Sequence, residues 1–168
     1  MDSPQVLTVL DRLDASKIPW WIAGGWAIYA LVGSETRHHD DLDLVVPRDS
    51  LPTIERLLHD LGYVRAEEGE LPAFLILRDV EQHQVDLYVV SLAAGSGEAW
   101  QEFGEGKWDY FSAADLIGVG TIAGRRVRCL SPEALFRQFL GYRWTEKARE
   151  DLLTLHRRFG TPLPPDMA

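Results

Sequence analysis

Three aspartates stand within RHHDDLDLVV, the stretch that covers residues 37–46. The chain passes directly from these acids into an apolar segment with the composition of a β-strand. Because side chains alternate across a strand, Asp41 and Asp43 share one face, while the leucines that follow each of them turn to the other. Asp40 precedes the strand and diverges from the pair. The spacing therefore predicts that Asp41 and Asp43 form a convergent pair of carboxylates.

Neighbouring carboxylates repel one another. At a separation of about 4 Å and an effective dielectric constant of roughly 20, the repulsion is about 4 kcal/mol. A proton on one acid relieves it. A divalent, oxygen-seeking cation does the same, and Mg2+ typically uses one or two carboxylates together with substrate phosphates. The pair is thus a candidate magnesium site, with an acidic, solvated loop as the alternative interpretation.

A third carboxylate, Asp86, stands alone among mostly apolar residues in QVDLYVV, residues 84–90. This segment alternates like a strand, where aspartate is disfavoured. If the two strands are adjacent, the three acids form a site suited to two-metal phosphoryl chemistry, in which the ions hold the attacking and leaving oxygens. Asp86 could alternatively be the general base for an acceptor hydroxyl. An ordinary strand-edge aspartate is the remaining interpretation.

Two glycines, Gly24 and Gly25, lie between a predicted strand and a predicted helix upstream of the acidic pair. Glycine lets the backbone approach a phosphate closely, and a helix N-terminus offers free N–H groups. A tight turn without a ligand is the alternative. The adjacent His38 and His39 should point apart on an extended chain, so we predict surface or supporting roles for them rather than metal ligation.

The elements that must position these residues follow from the hydrophobic pattern. A hairpin is predicted to turn near Ala123-Gly124, and the Gly-rich, aromatic residues 91–110 are predicted to form a long surface loop with room for one short strand. The predicted strands cover 18–23, 41–46, 63–66, 73–77 and 84–90. The predicted helices start near Ser3, after Gly25, at Asp49 or Ser50, after Ser131 and at Thr145, the last one ending at Gly160.

Length and composition fit one α/β domain over residues 1–168. We expect a catalytic part over about 1–112, a hairpin with C-terminal helices over about 113–160, and a loosely attached tail over 161–168. The single cysteine excludes a disulfide framework, and no apolar run is long enough for a membrane span. With no signal-peptide pattern, these features favour a cytoplasmic location.

The formal net charge is −9. Such an acidic chain is unsuited to an extended nucleic-acid surface, which needs many cations along the phosphates. A single nucleotide stays compatible, because metal ions and a few local cations can meet its charge. The acidity mildly favours a cationic small-molecule partner. The alternative is that it serves solubility alone.

The order Gly24-Gly25-Trp26, then Asp41-x-Asp43, then Asp86 resembles the nucleotidyltransferases of the DNA polymerase β-like superfamily. Within it, AGGWAIYALVGSETRHHDDLDLVV resembles the small antibiotic-modifying members, the aminoglycoside 2''-adenylyltransferases and lincosamide nucleotidyltransferases. VRCLSPEALF and GYRWTEKAREDLLTLHRRFG extend the resemblance over about residues 18–160. It implies an α/β polymerase β-like fold, with a mixed sheet flanked by helices and a small C-terminal helical part.

The resemblance also implies a reaction. A nucleoside monophosphate, AMP from ATP, would pass to a hydroxyl of an aminoglycoside or lincosamide with release of pyrophosphate. Asp41 and Asp43 would hold Mg2+, as one or two ions, with Asp86 as base or third ligand. Alternatives are a toxin-like transferase acting on tRNA or protein, and a catalytically silent nucleotide-binding module. A homodimer is compatible with each.

Further contacts are implied for the two substrates. Gly24 and Gly25 would approach the triphosphate, and Arg37 and Lys147 are candidate phosphate contacts whose alternative is an ordinary surface role. Members of the group usually carry an acidic residue where this chain has Tyr29. If that acid binds the acceptor in those enzymes, this protein is expected to use a different acceptor. The alternative is that Tyr29 is a core or groove aromatic. Other candidates for the acceptor pocket, unless they serve packing, are Trp100, Glu102, Phe103, Glu105, Trp108, Tyr110 and Phe111, with the acids at 67, 68 and 70 as a second patch.

Overall fold

The computed structural model describes residues 1–69, 71–140, 145–164 and 167. In this part of the chain, nine strands and five α-helices are present. The strands are β1 (Trp21–Ile22), β2 (Asp41–Pro47), β3 (Val64–Arg65), β4 (Phe74–Arg78), β5 (Gln84–Leu92), β6 (Ala99–Gly104), β7 (Lys107–Phe111), β8 (Gly118–Ile122) and β9 (Arg125–Cys129). The helices are α1 (Ser3–Ala15), α2 (Gly24–Val32), α3 (Leu51–His59), α4 (Pro132–Gln138) and α5 (Glu146–Phe159).

All nine strands join one mixed sheet in the order β3-β4-β5-β2-β1-β9-β8, with β6 and β7 extending it from the end of β5. The central pair, β2 and β5, runs parallel, and their register places Asp43 opposite Asp86. Most other neighbours are antiparallel. The adjacency of the two acidic strands, on which the predicted three-carboxylate site depends, is therefore present.

The hydrophobic core explains why β2 presents its acids outward. Leu42 and Leu44 are fully buried on one face, and Asp41 and Asp43 occupy the other. Helix α2 is apolar on nearly all sides and packs against β8, α4 and α5. A helix buried on this many sides has a well-fixed N-terminus, which here lies beside the acids.

Local signals place the helix ends. The Asp2 carboxylate accepts a hydrogen bond from the Gln5 backbone N–H at 2.9 Å, which caps α1. Ser131 and Thr145 cap α4 and α5 in the same way, and Gly160 ends α5 in a left-handed conformation. These helix boundaries were predictable from the sequence. The following residue is more firmly held than expected for a loose tail, since Thr161 is buried.

The prediction of a long surface loop over residues 91–110 is wrong. Strands β6 and β7 form an antiparallel hairpin there, which turns through Glu105 and Gly106, both with positive φ. Ala99 and Gln101 alternate inward and are buried, so the hairpin has a true inner face. The glycines that suggested a loop are concentrated in the turns at its ends. The first strand is also shorter than the predicted 18–23.

Within the described residues, no helix is long and apolar enough to cross a membrane.

Candidate active site

Asp41, Asp43 and Asp86 converge at the centre of the sheet. Each offers a carboxylate oxygen, and these atoms all lie within 4.8 Å of one another. Asp41 and Asp43 come from one strand, and Asp86 from its parallel neighbour. Because central strands of a sheet are rigid, the three groups are held in place without help from a loop.

The electrostatics of the three acids fit a bound divalent cation. Burial, with the nearby charges of Asp41 and Asp86, raises the pKa of Asp43 well above its usual value. Burial raises the pKa of Asp86 to about 6, against the opposing effect of a 3.0 Å hydrogen bond donated by the Gln84 amide. The other carboxylate oxygen of Asp86 is buried and has no hydrogen-bond partner among the described residues. Crowded, under-solvated carboxylate oxygens are what an oxygen-seeking cation such as Mg2+ compensates.

The two glycines make room for the neighbouring side chains. A Cβ atom on Gly24 would lie 1.9 Å from Asp43 Oδ2, and Gly24 has φ +55°. A Cβ atom on Gly25 would lie 2.2 Å from His39 Nδ1 and 2.9 Å from Arg37 Nη2. The Ala23 backbone N–H also donates to the Asp43 carbonyl at 2.9 Å. The glycine pair thus packs the start of α2 directly against the acidic strand.

The adjacent histidines differ in burial. His38 is exposed, whereas His39 is buried beneath Gly25 with its ring 5.2 Å from that of Trp26. Burial, then the charge of Arg37, lowers the pKa of His39 to about 4, so its ring is neutral at pH 7. Neither histidine belongs to the carboxylate cluster. His39 is a packing residue beside the site, in agreement with the predicted supporting role.

The two predicted phosphate contacts both have carboxylate partners. Arg37 donates two hydrogen bonds to Asp151 of α5, at 3.1 and 2.6 Å, and Asp151 is buried. Lys147 pairs with Asp40 on the surface. Arg37 lines the same cavity as the acids, and Lys147 is not among the residues that line it.

A cavity of about 610 Å3 opens over the acids. Its floor contains the glycine pair, Asp41, Asp43 and Tyr88, and burial together with the nearby charges of Asp43 and Asp86 raises the pKa of the Tyr88 hydroxyl. Its walls come from the hairpin and from the helical part: Gln101, Phe103, Trp108 and Asp109 on one side, and Arg37, Arg137, Gln138, Phe139, Leu140 and Asp151 on the other.

The predicted acceptor residues are only partly at this cavity. Trp108 lines it. Glu102 instead pairs with Arg48 at 3.1 Å, and Tyr29 is buried with its ring 5.2 Å from that of Trp26, as in its alternative role as a core aromatic. Of the second acidic patch, Glu67 and Glu68 line a separate surface depression, and residue 70 lies outside the described residues.

Some cavity residues were not predicted. Tyr88 lies on the same face of β5 as Asp86, so strand alternation alone could have indicated it. Arg137 projects from α4 and is held by a 2.7 Å ion pair with the buried carboxylate of Asp115. No local sequence pattern indicates that this arginine lines the same cavity as the acids, because its position depends on how α4 packs against the sheet.

This mixed sheet, with a carboxylate triad beside a glycine turn, defines the class: the protein is a nucleotidyltransferase with the polymerase β-like fold. The sequence profile described as aminoglycoside-2''-adenylyltransferase matches residues 5–155, and the chain belongs to that family.

Individual relatives cover most of the chain. A 2''-aminoglycoside nucleotidyltransferase of Klebsiella pneumoniae is 33% identical over 84% of this chain and 76% of its own length. A lincosamide resistance protein of Staphylococcus haemolyticus is 26% identical over 90% of this chain and 92% of its own.

The solved structures agree. The lincosamide antibiotic adenylyltransferase LnuA, with lincomycin bound, superposes with a TM-score of 0.81 at 25% identity, covering 90% of this chain and 94% of that one. The enzyme ANT(2'')-Ia, in complex with adenylyl-2''-tobramycin, gives 0.72 at 27% identity, covering 92% and 87%. The protein is therefore an enzyme of the antibiotic nucleotidyltransferases.

Proposed function

We propose that the protein transfers AMP from ATP to a hydroxyl group of an aminoglycoside or lincosamide antibiotic, in a Mg2+-dependent reaction that releases pyrophosphate. The observation that carries this proposal is the convergence of Asp41, Asp43 and Asp86, of which Asp41 and Asp43 line a cavity beside the glycine turn. Relatives with both kinds of antibiotic in their names support the acceptor class.

The acids have distinct tasks in this proposal. Asp41 and Asp43 hold the cation, and Asp86 either completes the ligand set or accepts the proton of the attacking hydroxyl. When bound, Mg2+ supplies positive charge to the reacting phosphate and to the departing pyrophosphate. Tyr88 lies on the cavity floor beside these acids. Asp86, with a pKa near 6 before the cation arrives, is suited to proton transfer near neutral pH.

The nucleotide is assigned to the glycine side of the cavity. Gly24 and Gly25 present the N-terminus of α2 without side chains, which lets phosphate oxygens approach its N–H groups. Arg37 lies beside them and is oriented by Asp151. Lys147, which pairs with Asp40 outside the cavity lining, would reach a phosphate only by leaving that partner.

Arg137 is a further proposed contact for the triphosphate. Arg137 lines the cavity of the acids, and its guanidinium forms a 2.7 Å ion pair with Asp115. We expect Arg137→Gln to raise the KM for ATP about tenfold, since a charge-assisted hydrogen bond contributes about 1.5–3 kcal/mol. The measurement is initial rate against ATP concentration at saturating acceptor. Arg126→Gln, on the exposed part of β9, is the matched control, and an unchanged KM in Arg137→Gln would contradict the assignment.

The overall proposal is tested by pyrophosphate release from ATP with a panel of aminoglycosides and lincosamides, and by the mass of the product. We expect release that needs both Mg2+ and an antibiotic, with a product heavier by one AMP. Metal-dependent ATP binding without release for any antibiotic would refute the small-molecule acceptor and favour a tRNA or protein acceptor. Absence of metal-dependent nucleotide binding would refute the transferase chemistry itself.

A further inference from the structure

The charged groups that line the cavity mostly have an ion-pair partner in the protein or belong to the proposed cation site. Asp41 and Asp43 belong to the proposed cation site, and Asp151 is paired with Arg37. Arg137 is paired with Asp115. A cationic acceptor therefore finds little free negative charge on the floor or on the helical wall.

Asp109 is the exception. Among the described residues that line the cavity, it is the carboxylate outside the proposed cation site that forms no ion pair. Its side chain is exposed, and one oxygen accepts only the adjacent Tyr110 backbone N–H at 2.8 Å. The register of the hairpin sets Asp109 opposite Gln101, on the inner face that borders the cavity. In the described part of the cavity lining, an acceptor thus finds one carboxylate, outside the proposed cation site, that has no ion-pair partner.

The acceptor side also carries three large apolar side chains, which lie beside the polar Gln101 and Gln138. Phe103 lies at the register irregularity between Glu102 and Gly104, and it lines the cavity together with Trp108 and Leu140. Phe103 is 44% exposed, Trp108 56% and Leu140 47%. Large apolar side chains exposed together beside polar catalytic groups mark a ligand surface. Because this surface lines the same cavity as Asp41 and Asp43, we assign it to the acceptor.

We infer that the acceptor is a monocation with an apolar arm, as lincosamides are, rather than a polycation such as an aminoglycoside. This inference rests on the proposed function and narrows its acceptor. Asp109 binds the one ammonium group, and Phe103, Trp108 and Leu140 cover the apolar arm. An acceptor with several ammonium groups would leave most of them without a carboxylate partner in a partly desolvated cavity, which is costly.

The transfer itself is balanced. The acceptor hydroxyl oxygen forms a bond to the α-phosphorus of ATP, and the bond between that phosphorus and the oxygen bridging to the β-phosphate breaks. The hydroxyl proton passes to Asp86 or to water, and pyrophosphate leaves with the bridging oxygen. Neither an oxidant nor a further reactant is needed. The ammonium group of the acceptor takes no part in the chemistry and serves recognition alone.

The test compares lincomycin and tobramycin as acceptors for the full-length protein with ATP and Mg2+, measuring kcat/KM by pyrophosphate release and product mass. We expect lincomycin to be preferred by at least about tenfold. Equal use of both, or preference for tobramycin, would overturn the inference and leave the proposed function standing. Use of neither, with pyrophosphate release absent, would remove the proposed function as well.

Two variants test which residues of the cavity bind the acceptor. Asp109→Asn should raise the KM for lincomycin about fivefold, as expected for loss of one partly exposed ion pair, with kcat and the KM for ATP unchanged. Phe103→Ala should raise the same KM about tenfold through lost apolar contact. Glu105→Gln is the matched control, an exposed acid in the hairpin turn that does not line the cavity. An Asp109→Asn enzyme that matches Glu105→Gln would overturn the assignment of the ammonium group.

Discussion

Replacing Asp86 with asparagine is expected to lower kcat by about three orders of magnitude with any acceptor that the enzyme uses, whether the residue acts as base or as metal ligand. Asparagine keeps the size and one oxygen but cannot take a proton and binds Mg2+ weakly. The measurement is steady-state pyrophosphate release at saturating ATP, Mg2+ and antibiotic. Near-normal turnover would remove Asp86 from the chemistry.

The same variant separates the two roles. Retained Mg2+-dependent ATP binding with lost turnover would identify a base, whereas loss of both would identify a metal ligand.

The stability of Asp86→Asn can be checked through the pKa of about 6 that burial gives the Asp86 carboxyl group in the wild type. A carboxyl group with a raised pKa in the folded state lowers stability as pH rises through that value.

Metal-free wild-type protein should therefore lose stability between about pH 4 and pH 7 from this group, by at most about 3 kcal/mol at 1.36 kcal/mol per tenfold change. Asp86→Asn lacks this loss, so with a chelator present it should unfold at higher denaturant concentration than wild type at pH 8, and the difference should shrink towards pH 4. A variant less stable than wild type at pH 8 would attribute its inactivity to misfolding.

Gly24→Ala is the second change with a large expected effect, a loss of at least about a hundredfold in kcat/KM. The added Cβ would lie 1.9 Å from Asp43 Oδ2, so either the carboxylate or the start of α2 must move. Displacing a catalytic group by about 1 Å can cost about a hundredfold in rate. The measurement is kcat/KM for ATP together with Mg2+ affinity, both of which should fall.

Gly33→Ala is its matched control. Gly33 ends the same helix, has φ +82°, and a Cβ there would meet nothing closer than 3.8 Å. Both substitutions therefore introduce backbone strain, and only Gly24→Ala intrudes on the triad. Equal loss of activity in the two variants would attribute the effect to strain in α2 rather than to the contact with Asp43.

The acids of the site were predictable because strand alternation is a local rule. It selected Asp41 and Asp43 over Asp40, and it marked Asp86 as an outlier in an apolar strand. That β2 and β5 are neighbours is not a local property, since other sheet orders suit the same pattern. The resemblance to nucleotidyltransferases, rather than the alternation, supported that step.

The missed features depend on contacts between distant parts of the chain. The Arg37–Asp151 pair joins residues 114 positions apart. His39 can occupy its buried position because Gly25 has no side chain. From the sequence alone, Gly25 indicates only a turn or a phosphate contact. In the hairpin, glycine content suggested a loop, although the alternation of Ala99 and Gln101 was the more informative signal.

The in-register pairing of β2 with β5 has a consequence for how this enzyme can diversify. Each acid of the pair is followed along the strand by a core leucine, so a slip of one residue would bury the acids and expose the leucines. Selection for folding therefore also preserves the positions of the acids, which are the proposed catalytic centre. The exposed residues of the β6–β7 hairpin are not constrained by core packing in this way. Under the proposed function, substitutions there would change the acceptor at little cost in stability, while the positions of the acids stay fixed.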